Sequence, residues 1–253
     1  AGIGLFCCMA IIVFFFLGDI ARAVTQYVPY QYDQKAGEAA AQLLEKGQCD
    51  APEAKKSLHK LTRVLLKDRW DFERQPFTFY LIDSPMVNAG ALPGGHIMIF
   101  RGIFQKAETQ NEFIGVLAHE LQHVILRHSM SSLIETGMMA GFWSIILGDF
   151  SEVAAISTAQ ANELLGLRFS RLAEFEADRG ALRLLDDAKI SRKGFASFWK
   201  KSSEDDDEIF PILSTHPPSE ERYDLAKIGD PKHRQRRILT KKEWVALKTF
   251  CED

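Results

Sequence analysis

The sequence predicts an α+β domain, mostly helical, with a small sheet beside one strongly apolar-striped helix and a transmembrane helix in front. Three observations carry this expectation. Two short runs rich in aromatic and β-branched residues, "FTFYLID" (Phe77 to Asp83) and "HIMIF" (His96 to Phe100), flank the glycine-rich "NAGALPGG". On either side of them, apolar residues recur at helical spacing. The first eighteen residues, "AGIGLFCCMAIIVFFFLG", carry no charge.

At a rise of about 1.5 Å per residue, that apolar run makes a helix of about 27 Å, close to the hydrocarbon thickness of a bilayer. Residues 1–18 are therefore read as a membrane-spanning helix, which the absence of an initial Met suggests continued upstream. A cleaved signal peptide is the rival reading, favoured by the small residues Ala21 and Ala23 but lacking a basic start. A buried core helix is the third. Asp19, Arg22, Asp33 and Lys35 balance one another, so flanking charge does not set an orientation.

Residues 19–34, "DIARAVTQYVPYQYDQ", read as a polar and aromatic connector with turn chemistry at Pro29, and residues 35–253 as the folded domain. Within it, Lys35 to Gly47 and Pro52 to Trp70 read as amphipathic helices. In the second, Leu58, Leu61, Leu65 and Leu66 share a face, and Pro52 suits a first turn. Asn111 to His128 is a strong helix with Phe113, Val116, Leu117, Leu121, Val124 and Ile125 as its core stripe. From Ser132 the chain reads as helical almost to its end. Met138 to Leu147 is apolar all round yet too short to cross a bilayer, hence buried or membrane-facing. Further helices are expected at Ala155 to Leu165, Ser170 to Asp186, Arg192 to Lys201, Ser219 to Ile228 and Lys242 to Phe250.

Composition narrows the function. Hydrophobic residues at 46% and charged residues at 26% are those of a folded protein. A formal net charge of -3, without a long basic stripe or stacking motif, excludes nucleic acid as the expected partner. "EDDDE" (Glu204 to Glu208) lacks the ligand spacing of a calcium loop, and "KHRQRR" (Lys232 to Arg237) reads as solvated surface. Cys7 and Cys8 are small hydrophobes of the apolar run. Cys49 and Cys251 bracket the domain and either form a bridge, given an oxidising compartment, or remain two thiols.

Chemistry concentrates in two helical segments. In "LAHELQH" (Leu117 to His123), His119 and His123 are four apart, so both rings leave one helix face and can share a metal, while Glu120 can reach a water held there without ligating. Two neutral imidazoles with an adjacent carboxylate base is the donor pattern of zinc-dependent hydrolysis, and it needs a third protein ligand. In "RLAEFEADRGA", Glu174 and Asp178 are likewise four apart, bordered by Ala173, Ala177, Gly180 and Ala181. Small neighbours imply close helix packing, where carboxylates need partners: Glu174 as the ligand, and Asp178 as acceptor for a ligand histidine's far N–H. Glu176 falls on the other face.

With "HELQH", "EFEAD" (the pattern Glu-x-x-Ala-Asp), "NAGALPGGHIMIFRGIF" and "STHPPSEER" in this order, the sequence resembles the membrane-associated zinc metallopeptidases that include the HtpX, BepA-like, Oma-type and CaaX prenyl proteases, over about Val87 to Arg222. The resemblance implies a zincin-like fold, one zinc per chain held by His119, His123 and Glu174, and Glu120 as general base. It implies that "NAGALPGG" precedes an edge strand that pairs with an extended substrate, with Asn88, Ala89, Pro93, Gly94 and Gly95 as substrate-binding residues. Gly90 departs from relatives that carry a larger residue there.

His216, in the rigid "THPPSEER" loop, is read either as an active-site residue that stabilises the oxyanion or plugs the open metal position, or as a structural turn. His59, His96, His128, His233 and Arg171 are assigned surface or structural roles. The expected activity is endopeptidase hydrolysis of protein or peptide substrates, in quality control of misfolded membrane or envelope proteins. The expected setting is a lipid bilayer, with the domain on the periplasmic side of a bacterial inner membrane or at a mitochondrial membrane. A zinc-stabilised chaperone or scaffold with little proteolysis is the alternative from another class, and a membrane-anchored helical module without metal is a third.

Overall fold

The computed structural model describes residues 16–44, 47–147, 169–204, 216, 222, 225–226 and 237–251, with backbone alone at 139–147 and 203–204. The elements, in chain order, are α1 (residues 16–25), α2 (Tyr30–Gln42), α3 (Pro52–Leu66), β1 (Thr78–Ile82), β2 (Ala89–Ala91), β3 (His96–Phe100), α4 (Gly102–Lys106), α5 (Gln110–Ile125), α6 (His128–Leu147), α7 (Arg171–Asp187), α8 (Lys193–Glu204) and α9 (Lys241–Lys248). The mostly helical α+β expectation holds, with a three-stranded sheet among the described residues.

The apolar run 1–18 lies outside the described residues up to residue 15, as do the expected helix at 155–165, most of that at 219–228, and the charged runs at 205–208 and 232–236. Among the described residues, no helix is long and apolar enough to cross a membrane. The expected connector is largely helical: residues 16–25 form α1, a turn follows, and Pro29 precedes α2, whose first turn its fixed φ suits.

The sheet order is β1-β3-β2, with β1 parallel and β2 antiparallel to the central β3. "HIMIF" is thus the middle strand, and the edge is Ala89–Ala91, inside the segment expected to precede it. Ala-Gly-Ala has little strand propensity; pairing with β3 makes it a strand. The reversal into β3 uses a single 3-10 turn, Pro93–Gly95, in which Gly94 (φ 75°) and Gly95 (φ 87°) take backbone angles that side chains disfavour.

One core runs from the sheet through α3, α4, α5, α7, α8 and α9, and Phe104, Phe113, Phe195 and Phe198 are among its fully buried side chains. Each such ring contributes about 1.5–3 kcal/mol by leaving water. At the axis lies α5, buried from Asn111 to Val124 and started by a capping box between Thr109 and Glu112. It ends earlier than expected: Arg127 adopts φ 55°, breaking the helix before α6 begins at His128. Arg127 then bonds the Asp33 carboxylate and the carbonyls of Thr25 and Val28, fixing the α1–α2 turn to this break. Cys49 and Cys251 are bridged, joining the start of the domain to the end of the described chain. Their polar surroundings had left pairing and free thiols equally open.

Candidate metal centre

Close approach of α5 and α7 builds the site. A Cβ at Gly180 would lie 2.2 Å from the Gln122 amide oxygen, so a side chain there would have to displace Gln122. Ser170 caps α7 through Ala173 N–H, and the first turns carry Glu174 and Asp178 to the face of α5 that holds His119 and His123. All four side chains are buried.

The ring atoms converge. His119 Nε2 lies 3.0 Å from His123 Nε2 and 3.4 Å from Glu174 Oε2, and His123 Nε2 is 3.4 Å from Glu174 Oε1. His216 joins them, its Nδ1 2.9 Å from Glu174 Oε1 and 3.2 Å from His119 Nε2. One donor atom each from His119, His123, Glu174 and His216 falls within 4.8 Å of the others, a cluster able to hold a metal ion. Three imidazole nitrogens facing one another cannot all donate, so at least one lone pair points into the cluster. Imidazoles with one carboxylate are a donor set that suits zinc. Both Glu120 carboxylate oxygens are buried with no hydrogen-bond partner among the described residues, and Oε1 stands 3.6 Å from His216 Nε2.

Charge around the cluster is arranged unevenly. His119 Nδ1 lies 2.9 Å from Asp178 Oδ1. Burial alone would draw this imidazole down, but Asp178 and Glu174 overcome it and raise it to about 9. Burial also opposes ionisation of Glu174, yet the rings of His216, His119 and His123 hold its carboxyl well below the usual carboxylate range. Burial dominates at His123, drawing it well below its ordinary value, and at His128, which falls to about 4 against the pull of Glu176.

Four contributors went unrecognised in the sequence. Arg222, 2% exposed, donates through Nε to Asp178 Oδ2 at 2.6 Å and through Nη2 to Glu174 Oε2 at 2.8 Å, with its guanidinium 4.0 Å from the Trp199 ring centroid. The signal available was its place in "SEER", near His216. Phe169 stacks on His123 with centroids 3.9 Å apart. His128, assigned a surface or structural role, is buried with Nδ1 3.0 Å from His123 Nδ1. His59 and His96 do fit structural roles, His59 edge-on to Phe79 and His96 Nδ1 2.8 Å from the Tyr80 hydroxyl.

The expected substrate segment divides. Ala89 and Ala91, flanking the Gly90–Met98 pair, turn their backbone groups outward from β3. Of these, Ala89 N–H is taken by Asn88 Oδ1 and the Ala91 carbonyl by Ser129 Oγ. Pro93, Gly94 and Gly95 do not line that edge. They are buried under α2, where a Cβ on Gly94 would meet Gln34 Cα at 2.5 Å and one on Gly95 would meet the Pro76 carbonyl at 2.4 Å. The turn thus packs densely against its neighbours, and Asn88, Ala89 and Ala91 are buried as well.

Comparison with known proteins agrees with this geometry. The model of the peptidase family M48 matches residues 52–227. A putative beta-barrel assembly-enhancing protease of Vibrio cholerae is 28% identical over 162 residues, 59% of this chain and 34% of the relative. The mitochondrial metalloendopeptidase OMA1 of Schizosaccharomyces pombe is 27% identical over 179 residues, 68% and 53% of the two chains. The metalloprotease YcaL of Escherichia coli is 29% identical over 152 residues, 58% and 59%. The match thus spans between about a third and three fifths of these relatives. The family match takes in both helices of the metal centre and the loop that carries His216, and the chain belongs to peptidase family M48.

Proposed function

We propose that the chain is a zinc-dependent endopeptidase in which His119, His123 and Glu174 hold the metal and Glu120 is the general base. The observation that carries this reading is the Glu120 carboxylate, buried beside the cluster with both oxygens unpartnered among the described residues. An unsatisfied buried carboxylate is costly and persists where function requires it. Zinc bound at the cluster supplies Lewis acidity, polarising the scissile carbonyl and acidifying water. Glu120 accepts the proton of the attacking water and delivers it to the departing amine. Asp178 faces His119 Nδ1 at 2.9 Å, and Arg222 holds the Asp178 and Glu174 carboxylates in place.

His216, with Nδ1 among the clustered donor atoms, would serve as a further ligand that plugs the site until substrate displaces it. This favours the plug over an oxyanion role. The outward Ala89 carbonyl and Ala91 N–H are the edge groups that Asn88 and Ser129 leave for strand addition by an extended peptide. The Cys49–Cys251 bridge supports an oxidising, extracytoplasmic compartment. The uncharged run at residues 1–18 supports anchoring in a bilayer, and the beta-barrel assembly-enhancing and mitochondrial relatives support quality control of membrane or envelope proteins as the role.

The test is cleavage of unfolded casein with and without chelator. Glu120→Gln should retain one equivalent of zinc and lose proteolysis by at least about 100-fold. Near-normal turnover in that variant would overturn the assignment, and zinc binding by a wild-type chain that never cleaves would favour the scaffold reading. His216→Ala should raise basal cleavage; an unchanged rate would remove the plug.

A further inference from the structure

His123 presents Nε2 to the cluster, and its other nitrogen, Nδ1, faces His128 Nδ1 at 3.0 Å, both rings being buried. One proton can occupy that N···N contact. If His123 is to offer the Nε2 lone pair to a metal, its proton must sit on Nδ1, so His128 Nδ1 must accept. The His128 proton then belongs on Nε2, which lies 3.3 Å from Glu176 Oε2. Every proton position in the chain Glu176, His128, His123 is thereby determined, and each donor meets an acceptor.

We infer that His128 is a positioning residue that fixes the tautomer and ring orientation of His123, with Glu176 anchoring His128 from the opposite face of α7. The inference rests on the reading of His123 as a metal ligand. It gives the middle carboxylate of "EFEAD" a task distinct from those of Glu174 and Asp178, and it supplies each ligand imidazole with its own carboxylate, direct for His119 and relayed for His123. Arg22 of α1 stands 3.8 Å from Glu176 Oε1, so the outer end of the relay touches the N-terminal helix.

The measurement is Zn2+ affinity of the full chain by competition with a chromophoric chelator, alongside the absorption spectrum of the Co2+-substituted protein. Loss of an outer partner of a ligand histidine weakens binding by about 10–100-fold, the range expected for His128→Leu, together with a shifted Co2+ spectrum. His128→Gln, whose amide oxygen can accept the same proton, should recover most of the affinity. Glu176→Ala, on the half-exposed rim and safe for folding, should weaken binding by about 3–10-fold, below the loss at His128. Affinities within about twofold of wild type for Glu176→Ala, or for a folded His128→Leu, would overturn the inference. Failure of the ligand reading itself looks different: the wild-type chain would then bind Zn2+ no better than His123→Ala.

Discussion

Behind His119 stand Asp178 and Arg222, each 2% exposed, and the Trp199 ring; behind His123 stand His128, 4% exposed, and then Glu176, whose side chain is 38% exposed. One support is sealed in the core and the other leads outward to α1. A sealed ion pair gains little over an apolar core but is costly to break singly, whereas a pair at the rim is screened and adaptable. The contrast gives the two histidines of the candidate centre different surroundings: His119 is backed by the α7 interior, and His123 by a pair that reaches the surface.

The largest effect should come from the sealed side. Arg222→Met removes the cation that Asp178 and Glu174 share, leaving buried carboxylates without it, and should cost the metal-free protein about 3–5 kcal/mol in urea unfolding. Glu176→Ala, on the other side, should cost less than about 1 kcal/mol. Equal losses for the two variants would erase the distinction.

The two sides should also respond to pH in opposite directions when metal is absent. His119 is raised from 6.5 to about 9, so its contribution to stability is complete below pH 6.5 and is lost as pH climbs through 9. His128 is lowered to about 4, so its contribution is present above pH 6.5 and lost as pH falls toward 4; His123 acts in the same direction, and depressed Glu174 adds to the loss below its ordinary 4.5. Chelated protein should therefore show a site contribution that declines on both sides of pH 6.5. Zinc should suppress the alkaline decline, because ligands bind metal in their deprotonated form. Thermal unfolding across pH 4 to 9.5, with and without zinc, measures both arms. Asp178→Asn should flatten the alkaline arm and Glu176→Gln should leave it intact.

The sealed side was also the more legible. His119 with His123, and Glu174 with Asp178, are i,i+4 pairs, and a regular helix puts such pairs on one face. Small residues around Glu174 pointed to the close α5–α7 packing in which Gly180 lies against Gln122. Arg222 was not legible, because its partners lie 44 and 48 residues away and only the folded chain brings them together. The structural role read for His128 fits its burial, but its contact with His123 was not legible, for a different reason. Five residues beyond His123 on a continuous helix it would point about 140° away, and the expected helix ran unbroken to His128. Arg127 at φ 55° breaks that periodicity and returns the ring to His123. The edge strand was hidden because Ala89–Ala91 owes its conformation to β3, and the dense packing of the Pro93–Gly95 turn involves residues distant in sequence.

The smallest effect lies at the outer end of the relay. Arg22 and Glu176 are 3.8 Å apart with side chains 35% and 38% exposed, a geometry in which Coulomb attraction nearly balances the entropy of holding two long side chains. Arg22→Ala should change unfolding free energy by less than about 0.5 kcal/mol. Salt separates this pair from its buried counterpart, since the screening length falls to about 3 Å at 1 M and acts only where water and ions reach. Raising salt should therefore shrink the difference between wild type and Arg22→Ala toward zero, while the penalty of Arg222→Met stays constant. If salt instead reduced the Arg222→Met penalty as well, solvent would have to reach the α5–α7 interior, and the division between a sealed and an open support would collapse.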